Sequence, residues 1–363
     1  MAKTPQFRYS AHYANVLREL NSLYRSGSPS QAVALLLFDA DQINIEAGRA
    51  WAEQQADSDD EAAQLCSAYP RVGARLLNLR LDPKRRIKWL EAGVASSRRL
   101  GDRKTEGRHV GDLASAYAGL GNHRRAAEYH EQSLKIAQDI DDRENEAATL
   151  GNLGNDCIEL NDVARAIHFL DRSAALYGQL ANARGEAEAR NSLGVAYRMV
   201  EDYTQSAECH RRSIHLCKDI GDQRGEANGH NNIGITYRKQ GELSEAAKCY
   251  SQALAIYREL RDVRGEGQAL NNLGILYRIR GETRNAVTHH EEALRLYRQV
   301  GYPRGEGTAL FNLALALDIL GNRDQAIADA KSALRLRERI NDPRVDEILK
   351  QLADWGKPCD TQT

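Results

Sequence analysis

A forty-residue pattern is written six times in this chain without a shift of register. The copies are Gly101–Ile140, Asp141–Leu180, Ala181–Ile220, Gly221–Leu260, Arg261–Val300 and Gly301–Ile340. The fourth and fifth open GDQRGEANGHNNIGITYRKQGELSEAAKCY and RDVRGEGQALNNLGILYRIRGETRNAVTHH. Self-similarity at a fixed period requires a stack in which each unit buries its apolar face against its neighbours, so the core grows with length. The same logic moves the expected function away from a single catalytic centre and toward an extended surface that holds another molecule.

One copy shows what each unit must be. In Gly221–Leu260, Gly221 suits a left-handed helix end and Asp222 suits the cap of the next helix. Ala227, Ile233, Gly234 and Tyr237 follow at near-helical spacing, and Gly241 punctuates, as Gly121, Gly281 and Gly321 do in sister copies. Ala246, Ala247, Tyr250, Ala253, Leu254 and Tyr257 then fall on one face of a second helix. With only seven prolines and four phenylalanines, the composition favours helix over strand. Each copy therefore predicts a helical hairpin, with Gly234 and Ala246 allowing close approach and Tyr237 and Tyr250 filling the space beside them.

A glutamate stands sixth in every copy: Glu106, Glu146, Glu186, Glu226, Glu266 and Glu306. It falls in the first turn of the first helix, where the helix dipole favours a carboxylate. Arg184, Arg224, Arg264 and Arg304 stand two residues earlier. Capping and pairing between copies account for this ladder without a cationic ligand.

The spacing Leu193-Gly194…Tyr197, Ile233-Gly234…Tyr237…Gly241…Ala246…Tyr250…Ala253 and Leu273-Gly274…Tyr277…Gly281…Ala286 resembles the tetratricopeptide repeat. The usual period there is 34, so these hairpins are longer. The NNLG and RGEG phrases are similar to the long-repeat subfamily of polarity adaptors of the Pins/LGN type and, more loosely, to kinesin light chains. The resemblance implies an all-α, right-handed α-solenoid. The chain before residue 100 (YANVLRELNSLYRSG, LFDADQINIEAGRAWAEQQ, then LCSAYPRVGARLLNLRLDPKRRIKWLEAGVASSRRLGDR) resembles the entry to the sensor array of bacterial signalling NTPases of the NB-ARC/STAND type. No G-x-x-x-x-G-K-[ST] occurs, so the nucleotide switch of those proteins is missing. The chain is then expected to work alone, to serve a separate partner, or to be a fragment of a longer protein.

The predicted layout is an N-terminal helical cap over residues 1–60, with helices at Tyr9–Tyr24 and Gln31–Gln55 around the turn at Ser26–Ser30. A degenerate hairpin follows over 61–100, then six repeats over 101–340, a capping helix over 341–355 and a flexible tail over 356–363. Atypical end units are what an array needs to cover its outermost apolar faces, and no apolar patch that demands a dimer is evident.

In tetratricopeptide arrays the first helix of each hairpin lines the concave face. The resemblance maps that face onto positions 11, 12, 15, 18 and 19 of each forty. Asn191, Asn231 and Asn271 occupy position 11, Asn152, Asn232, Asn272 and Asn312 position 12, and Arg198, Arg238 and Arg278 position 18. Asparagine is a poor residue for a helix interior, so its recurrence needs a reason. One reason is recognition: amides pair with an extended backbone and arginine grips carboxylates, giving a groove for a protein or peptide with acidic residues. The other is structural, with the asparagines bonding to the neighbouring helix and fixing the angle between repeats.

Other chemistry finds little support. A formal net charge of −1 gives no field toward nucleic acid, and the basic stretch at Pro83–Lys88 is short. No apolar run reaches the ~20 residues of a membrane helix. The start MAKTPQFRYS has no signal-type apolar stretch, and six cysteines without metal or disulfide spacing suit a reduced cytoplasmic protein. His130, His210 and His290 recur at position 30 as expected fillers at the core's edge rather than metal ligands. Cys209, Cys217 and Cys249 read as buried small residues. No catalytic constellation and no cofactor site stands out, so the expectation is a non-catalytic scaffold, with the sensor of a STAND-type system as the alternative.

Overall fold

A computed structural model describes residues 3–27, 29–340, 342 and 344–356. The expected tail beyond Gly356 and part of the Ser26–Ser30 turn lie outside them. The described residues form eighteen α-helices and no strand. Two compact units divide the chain, Met1–Asn182 and Ala183–Thr363.

The first unit opens with α1 (Pro5–Arg25) and α2 (Ser30–Gln55), then α3 (Asp60–Val72), α4 (Ala74–Arg80) and α5 (Pro83–Arg99). The hairpins α6/α7 (Arg103–Gly119, His123–Asp139) and α8/α9 (Arg143–Glu159, Val163–Gln179) complete it. The second unit stacks α10/α11 (Ala183–Met199, Tyr203–Asp219), α12/α13 (Gln223–Gln240, Leu243–Glu259), α14/α15 (Val263–Ile279, Thr283–Gln299) and α16/α17 (Pro303–Ile319, Arg323–Arg339). It closes with α18 (Val345–Trp355). The fold is thus an all-α solenoid of consecutive helical hairpins.

The repeat letters explain this stacking. Gly241 ends α12 at φ +89°, and the aspartates at position 2 cap the next first helix, as Asp222 does through the Gly225 N–H at 3.0 Å. Position 14 is small because the second helix leans on it. A Cβ on Gly234 would lie 2.6 Å from the Tyr250 ring, and one on Gly274 would lie 2.5 Å from His290. The sixth-position glutamates pair between successive elements: Glu266 with Arg258 at 2.8 Å, Glu306 with Arg298 at 2.9 Å and Glu106 with Arg98 at 2.9 Å. That satisfies their charge inside the stack.

Two expectations need correction. Residues 61–100 form three helices rather than a simple hairpin. Gly73 separates α3 from α4 at a point where a Cβ would meet Leu17 at 2.7 Å, and the short α4 tucks Leu76 and Leu77 into the core. The N-terminal end also carries an apolar face: Leu36 and Ile43 on α2 are 70% and 82% exposed. Helical spacing alone gave no sign of which side of α2 would be left uncovered.

Candidate ligand-binding face

The first helices of the second unit carry most of the predicted site residues. Asn231, Asn271 and Asn272 are buried, Asn191, Asn232 and Asn312 half-buried, and Asn152, on α8 of the first unit, exposed. In the second unit the asparagines form a ladder. The side-chain amide of Asn232 donates to Asn191 Oδ1 at 3.0 Å, that of Asn272 to Asn231 Oδ1 at 2.8 Å, and that of Asn312 to Asn271 Oδ1 at 3.1 Å. Each position-12 amide thus reaches back to position 11 of the copy before it. In a poorly hydrated interior such a satisfied chain of amides fixes register between neighbouring hairpins.

Two of the position-30 histidines, His210 and His290, join this network, and all three are buried rather than at the core's edge. His210 and His290 are fully buried, and their Nδ1 atoms lie 3.1 and 3.0 Å from Asn191 Oδ1 and Asn271 Oδ1. Burial, helped by Arg198 and Arg278 respectively, holds both imidazoles down to about 3. They are neutral, with Nδ1–H donating to the asparagine oxygen and Nε2 left without a partner. Position 14 glycines in sequence were the signal that something large would stand at position 30.

Arg198, Arg238 and Arg278 are placed differently. All three are half-buried near the C-terminal ends of α10, α12 and α14. None has a carboxylate at ion-pairing distance among the described residues, and Nη1 of Arg198 and Nε of Arg238 and Arg278 are buried without a hydrogen-bond partner. Burial lowers the affinity of Arg198 and Arg278 for their protons, and the like charge of Arg238 lowers both further. Beside them the Tyr250 hydroxyl is pushed up by burial, an effect that Arg238 partly offsets. A partly desolvated cation without a partner is stabilised by a nearby anion. The series stops at Asp318, which occupies position 18 of the next copy and is held by Arg323 and Trp355 at 2.8 Å each.

Stacked helical hairpins of this kind define a helical-repeat protein. The chain belongs to the tetratricopeptide repeat family, whose sequence profile matches residues 108–179, 185–259 and 265–339. Such repeats build protein-interaction scaffolds, and this chain is one. Among solved structures it is similar to aspartyl phosphate phosphatase F from Bacillus subtilis (10% identity, TM-score 0.65, 93% of this chain and 95% of that one). It is also similar to a Rap protein complexed with competence and sporulation factor (14%, 0.59, 95% and 98%). A third likeness is to the STAND protein with a tetratricopeptide repeat sensor from Pyrococcus horikoshii (15%, 0.54). There the likeness covers 97% of this chain and 55% of the other. At these identities the likeness is one of fold. No curated protein sequence matches the chain. No helix among the described residues is long and apolar enough to cross a membrane.

Proposed function

We propose that the second unit binds an acidic segment of a partner protein or peptide along its first helices, with Arg198, Arg238 and Arg278 as the anchors. The observation that carries this is the unpaired state of all three half-buried guanidiniums. The position-6 glutamates, by contrast, each have a basic partner within the stack. A carboxylate accepting a fork of N–H bonds there would replace water poorly able to reach the buried nitrogens. The asparagines support the stripe by fixing the spacing between successive helices. A structurally similar Rap protein is found in complex with competence and sporulation factor, which agrees with a holding role for this fold.

The test is a fluorescence titration of the full chain with a library of acidic peptides and their amide (Asn/Gln) counterparts. Acidic members bind and their amide counterparts lose at least about tenfold. Reversal of the three cations (Arg198→Glu, Arg238→Glu, Arg278→Glu) abolishes saturable binding. Unchanged affinity after reversal sinks the reading.

The likeness to the Pyrococcus STAND sensor, spanning nearly the whole of this chain, supports a second reading in which the array senses a ligand for a separate NTPase or effector. Co-purification with a nucleotide-binding protein that the acidic peptides release or recruit would favour it.

A further inference from the structure

At position 2 one copy carries an aromatic in a column of Asp and Asn, and a cavity lies beside it. Asp262 shows what the position ordinarily does. One carboxylate oxygen accepts the Gly265 N–H at 3.0 Å and the other lies 3.0 Å from Arg224 Nη2, the arginine at position 4 of the preceding copy. Asp222 does the same with Gly225 and, at 3.7 Å, Arg184. At the start of α16 the residue is Tyr302, which supplies no side-chain cap. Arg264, the arginine that would face the missing carboxylate, instead lies over the Tyr302 ring, 3.9 Å from its centroid, and has no carboxylate at ion-pairing distance among the described residues. Stacking fixes the plane of a guanidinium while leaving its N–H edges unspent.

Arg264, Arg304 and Arg344 line a cavity of about 310 Å³ there, with Gln268 and Thr308 as neutral polar neighbours and no carboxylate in the lining. The equivalent cavity two copies earlier is about 180 Å³, and its Arg184 and Arg224 are balanced by Glu188 and Asp222. Two of the substitutions between them remove the carboxylates: Glu188 becomes Gln268, and Asp222 becomes Tyr302. The buried Asp342 pairs with Arg344 at 2.7 Å and lies 3.8 Å from Arg304. An excess of two positive charges remains.

We propose that this cavity is a binding site for a phosphate monoester. A carboxylate would neutralise one of the two charges. A phosphate monoester carries roughly −1.5 to −2 at pH 7 and offers three acceptor oxygens to the arginine forks. A volume near 310 Å³, at the lower end of ligand cavities at about 300–1,000 Å³, has room for the phosphate and the first atoms of its carrier. The carrier is a phosphorylated side chain or a small phosphorylated molecule, and the phosphate chemistry is common to both. The inference rests on position 2 and position 4 rather than on the position-18 arginines, and it shares with the acidic-segment reading only Asn271 and Asn272, which also line the cavity.

Isothermal titration of the full chain with inorganic phosphate, O-phospho-L-serine, O-phospho-L-tyrosine and acetate tests it. Saturable binding of the phosphate probes is expected, with acetate weaker by about tenfold or more. Phosphoamino acids tighter than inorganic phosphate support a phosphorylated side chain, and equal affinities support a free phosphorylated molecule. Tyr302→Asp returns the internal carboxylate and should cut phosphate affinity about tenfold or more while raising the melting temperature. Arg264→Gln should give the loss without the rise, which keeps the test decisive if either variant folds poorly. Phosphate that fails to saturate, acetate that binds as tightly, or both variants retaining full affinity would overturn the proposal.

Discussion

The two units are written on one forty-residue frame, yet they fill the middle of the first helix in different ways. In the first unit, position 11 is Gly111 or Gly151, each close against a serine of the second helix, where an added Cβ would lie 3.2 Å from Ser133 Oγ or Ser173 Oγ. Those hydroxyls donate to backbone carbonyls at Gly107 and Ala147. The polar centre is Asp156, bonded to His130 at 2.7 Å and His123 at 3.0 Å, and position 18 is Ala118 or Ile158. In the second unit the glycines become asparagines that reach one another, and position 18 becomes arginine without a partner. The frame sets how hairpins stack. What the exposed side of the stack can bind is decided at the few positions the frame leaves free.

Acid should weigh more on the second unit, which holds two deeply lowered histidines against one in the first, His109, held down to about 4 by burial. His210 and His290 titrate at about 3 in the folded chain against an ordinary value of 6.5. The unfolded chain takes up those protons first. The stability they contribute is therefore fully present above about pH 6.5 and lost as pH falls toward 3, at about 1.4 kcal/mol per pH unit for each histidine. His290→Tyr copies the natural Tyr250, which already sits over a glycine, and should remove one histidine's share of that slope. Chemical denaturation between pH 7 and 4 reads it, and a slope left untouched by changing both histidines would contradict the assignment.

Next in size is the amide ladder. Asn271→Leu strands His290 Nδ1–H and the Asn312 amide together, and should cost about 3 kcal/mol of unfolding free energy. Asn152→Leu, at the exposed position 12 of the first unit, should stay within about 0.5 kcal/mol. Equal losses would mean that the ladder does not fix the stack. Smallest is the pairing of successive hairpins. Arg258→Ala removes the partner of Glu266, but the arginine is half exposed. About 0.5 kcal/mol or less is expected, shrinking further at 1 M salt; a larger loss would place that pair among the determinants of stacking.

Much of this was legible in the sequence. Glycines at positions 14 and 21, the alanines and tyrosines of the second helices and the capping aspartates announce hairpins, because each letter answers a steric or hydrogen-bonding need within one repeat. Asn231, Asn271 and the position-18 arginines were visible as recurrent oddities. Whether they faced a ligand or one another was not visible, since the Asn272–Asn231 bond joins residues 41 apart. Tyr302 stood in plain view as the one aromatic in a column of Asp and Asn, but its consequence needed the cavity beside it. The helix α4 and the uncovered face of α2 gave no periodic signal at all.

By itself the sequence determined that the chain stacks, because a fixed period and its capping letters are local instructions repeated until they become a core. Only the tertiary structure decided which polar groups remain unspent. That balance is struck between neighbouring copies: Asn271 meets Asn312 and His290, Arg224 meets Asp262, while Arg238 and Arg264 meet no carboxylate. A side chain's availability depends on what the next hairpin brings against it, and that distance is set by packing, not by spacing along the chain.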